Sequence, residues 1–256
     1  MLYAPAPTAT RPASFDERAL RQRMPAPAAE EGRPLGKPIL EAQHTDCFIC
    51  KLRRSWLAGD PFRGASGPQP WLVSGRRSVP RGTPLFRAGD PFRNLYSVHA
   101  GQFKSSTLTS AGRTQVTGFH VAGELLGLDG IGAEVHSCDA VALEDAQVCV
   151  LSYQELSTMV CSTPALQQEF WRIMSDQIVR DHRVMLWLGS LKAEERVASF
   201  LLNLTQRLNA IGYSSSALVL RMSRDEIGSY LGLTLETVSR AFSKFRQQGL
   251  LEVKDR

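Results

Sequence analysis

The 256-residue sequence contains no run approaching the 18 apolar residues that a membrane-spanning helix needs. Its first 14 residues lack the basic stretch followed by an apolar core that marks a signal peptide. The sequence therefore predicts a cytoplasmic protein that does not associate with membranes. The excess of basic over acidic residues is small, giving a formal charge of +5, so the charge permits an anionic partner without requiring one.

Cysteine is also scarce, with five residues at positions 47, 50, 138, 149 and 161. In the reducing cytoplasm these cysteines are not expected to form a disulfide framework. Cys47 and Cys50 are separated by two residues, and this C-x-x-C spacing is typical of metal-binding or redox-active cysteines. They are the first candidates for chemistry in the chain.

The chain divides into five predicted regions. Residues 1–43 hold seven of the fourteen prolines and little regular apolar spacing, which predicts a disordered tail. Residues 44–70 form a cysteine-containing segment. Between 71 and 163, short alternating runs punctuated by glycine predict an antiparallel β jelly roll. Residues 164–191 predict one long helix, and residues 192–256 a helical domain in which Leu218–Met222 is a brief strand-like run. The predicted fold class is therefore α+β.

Residues of the long helix recur every three or four positions along one seam. The seam consists of Trp171, Met174, Ile178, Asp181, Met185 and Leu188. A helix with one continuous stripe needs a partner, and we expect a homodimer formed through this seam. Asp181 is the exception, because two such carboxylates face each other in a symmetric parallel pair. Either Asp181 pairs with Arg180 or Arg183 or sits at a solvated edge, or its charge holds the dimer near balance so that another event can tip it.

Residues 222–250 carry the signals of two short helices around a tight turn. Ser223 followed by Glu226 forms a capping box, and Gly232 supplies the turn. Thr234 can cap the second helix, and Gly249 can end it. This pattern predicts a helix-turn-helix that binds double-stranded DNA.

The outer face of the second helix offers polar side chains suited to DNA. These are Glu236, Thr237, Ser239, Arg240, Ser243, Lys244 and Arg246. Arginine can fork onto guanine, glutamate can accept from a cytosine amino group, and serine can donate or accept. Lys244 and Arg246 are expected to hold phosphates, which fixes the register without reading sequence. A helical hairpin whose outer charges are simply solvated is the alternative.

Four segments resemble those of a known family. They are PLFRAGD (84–90), QVTGFHVAGELLG (115–127), AEERVA (193–198) and YLGLTLETVSR (230–240). On these motifs the chain from about Cys47 onward resembles the bacterial CRP/FNR regulators, specifically the oxygen-sensing FNR branch. The resemblance implies a sensor domain of the cyclic-nucleotide-binding type, a dimerisation helix at 164–191 and a winged helix-turn-helix domain.

The resemblance also implies that Glu236, Ser239 and Arg240 contact the bases of a TTGAT-type inverted repeat, and that RNA polymerase is a partner. In the FNR branch the position that matches Asp181 holds an acidic residue that tunes dimerisation. The resemblance therefore favours the interpretation in which the charge of Asp181 weakens the dimer. The family continues into a two-stranded wing, whereas this sequence ends at Arg256, so only the first wing strand is expected.

The FNR branch binds a [4Fe–4S] cluster through three cysteines near the N-terminus and one in the barrel. Cys47, Cys50 and Cys149 match three of these positions, whereas Trp56 occupies the fourth, six residues after Cys50. Thiolates suit such clusters because they are soft anionic donors. The remaining ligand is open among His44, Asp46 and Cys138. A thiol or disulfide switch and a loss of sensing are the alternatives to a cluster.

Two further functions are disfavoured. Gly123 and Glu124 resemble the start of a cyclic-nucleotide phosphate cassette, but His136 stands where a phosphate-binding arginine is expected. A metal-binding cupin enzyme would need closely spaced histidines. The five histidines, at positions 44, 99, 120, 136 and 182, lack that spacing, so no enzymatic activity is predicted.

Overall fold

The computed structural model describes residues 73–253, which begin with a β-barrel. Its strands are β1 (Val73–Val79), β2 (Pro84–Phe86), β3 (Asn94–Ala100), β4 (Phe103–Leu108), β5 (Thr114–His120), β6 (Leu125–Leu126), β7 (Asp139–Ala142) and β8 (Ala146–Ser152). They form two four-stranded antiparallel sheets in the orders β1-β8-β3-β6 and β2-β7-β4-β5. The predicted jelly-roll class is confirmed. The predictions for 1–43 and 44–70 lie outside the described residues.

Strand alternation explains how the barrel separates two clusters of buried side chains. Val148 of β8 and Val98 of β3 lie in an inner cluster that includes Phe103, and all three are fully buried. Neighbouring residues on the same strands point to the opposite face, as the period of two requires. Gly101, with φ +85°, joins β3 to β4 where a Cβ would lie 2.7 Å from the Cβ of Ala146, so only glycine fits this turn.

Helices occupy most of the chain from residue 153 to residue 247. They are α1 (Tyr153–Ser162), α2 (Pro164–Ser190), α3 (Ala193–Asn209), α4 (Arg224–Leu231) and α5 (Leu235–Gln247). Pro164 stands in the first turn of α2, where its missing N–H would have no partner within the helix. Between residues 73 and 253 no helix combines the length and the hydropathy needed to cross a membrane.

The first two helices cover the outer face of the barrel sheet that contains β8. Leu151 of β8 is fully buried against Leu156 of α1 and Leu166 of α2, and Phe170 extends this cluster one turn further along α2. The N-terminal part of α2 is therefore packed on the barrel, while the rest of this 27-residue helix continues beyond the cluster.

A third cluster joins the other sheet to helices α3, α4 and α5. Val116 and Phe119 of β5 are buried in it with Phe200 of α3. The ring of Phe119 lies 5.7 Å from the ring of Phe200 and 5.1 Å from that of Tyr230 in α4, both within the range of favourable aromatic contacts. The barrel and the C-terminal helices therefore share one hydrophobic core.

Two strand predictions are not matched by the structure. The run at 218–222 and the segment from Leu251 form no strand within the described residues, which end at Val253. A strand requires a hydrogen-bonded partner, and these segments belong to neither sheet. Leu218, Leu220, Leu251 and Val253 instead pack, partly buried, against the shared core, so burial rather than strand pairing explains their apolar character.

Candidate nucleic-acid interface

Helix α4 begins with the capping box that the sequence predicts. The Ser223 hydroxyl accepts from the backbone N–H of Glu226 at 3.1 Å, and the Glu226 carboxylate accepts from that of Ser223 at 2.6 Å. The helix ends at Gly232, with φ +63°. A Cβ at Gly228 would lie 2.7 Å from the carbonyl oxygen of Leu233, so the tight turn depends on a second glycine.

Helix α5 has one buried and one exposed face. Thr234 accepts from the backbone N–H of Thr237 at 3.3 Å and caps the helix as predicted. The buried face consists of Val238, Ala241 and Phe242. Of the predicted DNA contacts, Glu236, Arg240, Lys244 and Arg246 are exposed, and Thr237 and Ser239 are half-buried. The polar side of α5 is therefore open to a ligand.

An ionised acceptor and a cationic donor stand one turn apart at the start of this face. Hydrogen bonds from its own backbone N–H and from Thr234 hold the pKa of Glu236 below its ordinary value. Arg240 Nη2 lies 3.5 Å from Thr237 Oγ1, and the guanidinium is exposed. A carboxylate only accepts and an arginine only donates, so the two side chains are suited to different ligand groups.

Two predicted DNA contacts have partners within the protein. Ser239 Oγ accepts a hydrogen bond from Arg224 Nη1 at 3.2 Å. Lys244 Nζ lies 2.6 Å from Glu194 Oε2 of α3, in a pair whose side chains are each 49% exposed. Exposed ion pairs are weak, but a phosphate contact by Lys244 must still compete with Glu194.

Polar contacts fix α4 on the barrel. Lys104 Nζ of β4 donates to Glu226 Oε1 at 2.7 Å, and the Ser229 hydroxyl accepts from the backbone N–H of Val116 at 2.9 Å. Gln115 donates to the Ser229 carbonyl oxygen. Burial alone would raise the pKa of Glu226, but the hydrogen bonds from Lys104 and Ser223 lower it. Glu226 thus both caps α4 and ties it to the barrel.

The carboxylate of Glu124, in the turn between β5 and β6, joins three parts of the molecule. It accepts from Arg207 Nη2 of α3 at 2.7 Å and from Arg180 of α2. Arg207 also donates to the carbonyl oxygen of Phe119 at 2.6 Å. Burial alone would raise the pKa of Glu124, but the two arginines hold it below its ordinary value.

His120 lies beside this junction. Burial is the main reason that its pKa falls to about 4, and Arg207 and Arg180 lower it further while Glu124 and Asp129 oppose them. The ring Nε2 lies 3.1 Å from the hydroxyl of Ser105 in the neighbouring strand. At neutral pH the imidazole is therefore uncharged.

Most of the predicted dimer seam is exposed along α2. Its exposed apolar members are Trp171, Ile178, Met185 and Leu188. Met174 is partly buried against the cluster under α1 and α2. Val179 and Leu186, which the heptad pattern did not include, are exposed as well. A continuous apolar face of this kind is suited to a protein partner.

Asp181 does not pair with an arginine in the single chain. Its carboxylate accepts from Gln177 Nε2 at 3.0 Å, and Arg180 binds Glu124 instead. Within residues 73–253 no ion pair joins Asp181 to Arg180 or Arg183, and its side chain is exposed. The single chain therefore agrees with the solvated-edge form of the first interpretation and not with an arginine pair, and the effect of the Asp181 charge on a dimer stays a prediction. Partial desolvation raises the pKa of Asp181, and the hydrogen bond from Gln177 opposes it.

The two barrel cysteines lie on opposite faces of the barrel wall. Cys149 is buried on the outer face with Leu151, whereas Cys138 packs against the inner cluster that contains Val148. Burial, followed by the nearby Asp129 carboxylate, raises the pKa of the Cys138 thiol to about 12. The positions on opposite faces disfavour Cys138 as the fourth cluster ligand, because all ligands of one cluster must reach the same side as Cys149.

No group of three His, Cys, Asp or Glu side chains between residues 73 and 253 could hold a metal ion. Cys47, Cys50, His44 and Asp46 lie outside the described residues. A cluster bound through Cys149 therefore requires ligands from the N-terminal segment.

His136 occupies the position where a cyclic-nucleotide cassette needs an arginine. Its ring stacks on Phe86, with centroids 3.7 Å apart, and meets Phe92 edge-on at 5.6 Å. Its Nδ1 lies 3.5 Å from the Asp129 carboxylate. A buried imidazole facing a carboxylate is a poor grip for a phosphodiester, so the geometry disfavours cyclic nucleotide binding.

Some residues of this surface carried no signal in the sequence. Arg224 and Glu194 lie near the starts of helices and belong to no periodic pattern in the sequence. Arg224 contacts Ser239, 15 residues away, and Glu194 contacts Lys244, 50 residues away. Glu124 was considered only as part of a phosphate cassette. The opposite charges of Glu194 and Lys244 were a possible signal that these two residues pair. No comparable signal connected Arg224 with the uncharged Ser239.

The jelly roll shares its core with a helix-turn-helix, and the second helix of that motif has an exposed polar face. This combination is typical of DNA-binding transcription regulators. Residues 76–162 match the cyclic nucleotide-binding domain family, and residues 195–256 match the Crp-like helix-turn-helix domain family. The chain belongs to the CRP/FNR family of transcription regulators, whose members similar to it are regulators and not enzymes.

Relatives and solved structures support this membership. The chain is 49% identical to the transcriptional regulatory protein btr of Bordetella pertussis, over 72% of this chain and 76% of that protein. It is 40% identical to the fumarate and nitrate reduction regulatory protein of Escherichia coli, over 72% and 73%. The structure of FixK2 from Bradyrhizobium japonicum has a TM-score of 0.65 and 32% identity, covering 71% of this chain and 89% of that one.

The lowered pKa of His120 predicts a pH dependence of stability. The unfolded chain takes up a proton near pH 6.5, and the folded chain only near pH 4. Stability is therefore full above pH 6.5 and falls as the pH drops towards 4, by up to about 3 kcal/mol. Urea unfolding at pH 7.5 and 5.0 should show a loss of about 2 kcal/mol in the wild type and a smaller one in His120→Gln. The exposed His182→Gln is the matched control, and an equal pH dependence in all three proteins contradicts the assignment.

Proposed function

We propose that this chain is a homodimeric regulator that binds an inverted-repeat operator through α5. The observation that supports the proposal is the exposed polar face of α5, with ionised Glu236 and Arg240 one turn apart. The helix is capped, its opposite face is buried, and α4 is fixed on the barrel, so the side chains are presented on a rigid support.

Six polar residues of α5 have a proposed role. Arg240 forks onto guanine, Glu236 accepts from an amino group of a base, and Ser239 contacts a third base. Thr237, Lys244 and Arg246 hold phosphates and set the register. The resemblance to the FNR branch supports a TTGAT-like half-site, repeated with inverted symmetry to match a dimer.

Replacement of the proposed guanine reader should weaken operator binding. We expect Arg240→Ala to cost about 1–3 kcal/mol and to relax the preference at one base position, because the bidentate contact is lost. Binding isotherms on operators that vary at each position measure both effects. Arg113→Ala, an exposed arginine in the turn between β4 and β5, is the charge-matched control. An unchanged affinity and preference in Arg240→Ala would refute the role of α5.

We further propose that two copies pair through α2. The exposed apolar residues of the seam cover the middle and the C-terminal end of this helix. Asp181 stands between Ile178 and Met185 in the same stripe, and its partner in the single chain is the neutral Gln177. In a symmetric pair the two carboxylates oppose association, which leaves the dimer responsive to a second event.

Removal of this charge should strengthen the dimer. Two unit charges about 4 Å apart in water repel by about 1 kcal/mol, so Asp181→Ala should lower the dimer dissociation constant by about fivefold or more. Sedimentation equilibrium measures the constant directly. Asp176→Ala removes an exposed carboxylate outside the seam and should leave it unchanged. Equal dissociation constants for the wild type and Asp181→Ala contradict the proposal.

We propose that oxygen or redox state sets the activity through a [4Fe–4S] cluster held by Cys47, Cys50 and Cys149. The relatives named for fumarate and nitrate reduction and for electron transport regulation support this sensing class. Cys149 contributes a thiol packed directly under α1 and α2. His44 and Asp46 remain candidates for the fourth ligand. When bound, the cluster supplies an oxygen-sensitive redox centre; a thiol switch or a regulator without sensing is the alternative.

Iron and acid-labile sulfide in anaerobically purified protein test this proposal. We expect about four of each per chain, with loss of both and of operator binding in air. Cys149→Ser should abolish the iron content, whereas the exposed Cys161→Ser should not change it. Protein that holds no iron or sulfide after reconstitution contradicts the cluster. A DNA affinity that then still responds to oxidants indicates a thiol switch, and an unresponsive one indicates no sensing.

We place this activity in the cytoplasm, where an operator is accessible, and we propose RNA polymerase as the partner that reads the bound state. The support for both statements is membership of a family of DNA-binding transcription regulators.

A further inference from the structure

Arg224 lies outside the recognition helix but contacts it at two points. It is the first residue of α4, directly after the capping Ser223. Its guanidinium carbon lies 5.3 Å from the centre of the Phe242 ring, and Nη1 donates to the hydroxyl oxygen of Ser239 at 3.2 Å. Ser239 and Phe242 are three residues apart on α5, so the arginine spans one turn of that helix.

These contacts hold the arginine in one place. Phe242 is buried, with 6% of its surface exposed, so its ring is a fixed platform. A guanidinium is attracted to the face of an aromatic ring, and from this position Arg224 Nη1 reaches Ser239. The start of α4 is itself fixed by the capping box and by the ion pair between Glu226 and Lys104.

The chemistry of the pair determines what Ser239 offers to a ligand. A serine hydroxyl has one hydrogen to donate and two lone pairs to accept, whereas an arginine can only donate. The oxygen of Ser239 must therefore accept from Arg224, and its hydrogen points away from the cation. A positive charge on one side of the hydroxyl also repels a second donor.

We propose that Arg224 is a positioning residue that holds Ser239 as a hydrogen-bond donor and so restricts it to bases with an acceptor. The inference rests on the proposed base contact by Ser239. Guanine, thymine and adenine each present an acceptor in the major groove, whereas cytosine presents only its amino donor. Cytosine is therefore the base that the pair excludes at the position read by Ser239.

A double-mutant cycle on a panel of operators tests the proposal. The operators carry each of the four bases at each position of the half-site, symmetrically in both halves. Ser239→Ala should reduce the discrimination against cytosine at one position by about three- to tenfold, the value of one hydrogen bond. Arg224→Ala should reduce it at the same position by a similar factor. The double variant should lose no more than either single one.

Two further variants separate positioning from charge and from folding. Arg224→Met keeps a long apolar stem over Phe242 but removes the donor, and should lose the same discrimination as Arg224→Ala. Arg246→Ala removes an exposed charge from α5 and should weaken binding to all operators by one factor, with the base preference unchanged.

The outcomes distinguish this inference from the proposed function. If Arg224→Ala and Arg224→Met weaken every operator equally and make binding less dependent on salt, Arg224 holds a phosphate and the positioning role is overturned. If Ser239→Ala changes no base preference while Arg240→Ala does, α5 still binds the operator, but neither Ser239 nor Arg224 contributes to reading it.

Discussion

The charge of Glu124 is buried where the barrel, the long helix and the DNA-binding helices meet, and the arrangement of these parts depends on its neutralisation. Arg180 of α2 and Arg207 of α3 both donate to this carboxylate. A carboxylate largely withdrawn from water is destabilising unless it is paired, so the loss of both arginines would leave the charge of Glu124 without compensation. The position of α2 relative to α3 is therefore tied to one turn of the barrel. The hydrophobic core that β5 shares with α3, α4 and α5 adds stability, but apolar burial does not by itself fix the orientation of these elements.

Local sequence signals predicted the elements of this fold, because each signal acts within a few residues. The capping box at Ser223, the cap at Thr234 and the left-handed Gly232 are properties of one turn of chain, and all three are present. The tight packing at Gly228 was not predicted, since it depends on the carbonyl oxygen of Leu233 across the turn. The apolar run at 218–222 was interpreted as a strand, but its side chains contribute to a core and find no strand partner.

The candidate site was predictable where it lies on a single helix and unpredictable where two elements meet. The polar face of α5 follows from a period of 3.6 residues. The partners of Glu124 lie 56 and 83 residues away in sequence, and no periodic pattern connects such positions. The cysteines show the same limit. Alternation along β8 puts Val148 and Cys149 on opposite faces. Cys138 lies in the loop before β7, where strand alternation does not apply, so its face could not be predicted from the sequence.

Helix α2 is the physical connection between the proposed sensor residue and the operator-binding surface. Cys149 is packed in the same cluster as Leu166 and Phe170, at the start of this helix. Further along, Arg180 binds Glu124, and the next residue is Asp181 in the dimer seam. Because a helix is stiff over 27 residues, a displacement at its start would alter both the spacing of the two Asp181 carboxylates in the proposed dimer and the position of the arginine that neutralises Glu124. Glu124 in turn holds Arg207 of α3, against which α4 and α5 pack. A change in the proposed pairing of α2 would therefore reach α5 through the ion pair and the shared core, without any new contact at the polar face of α5.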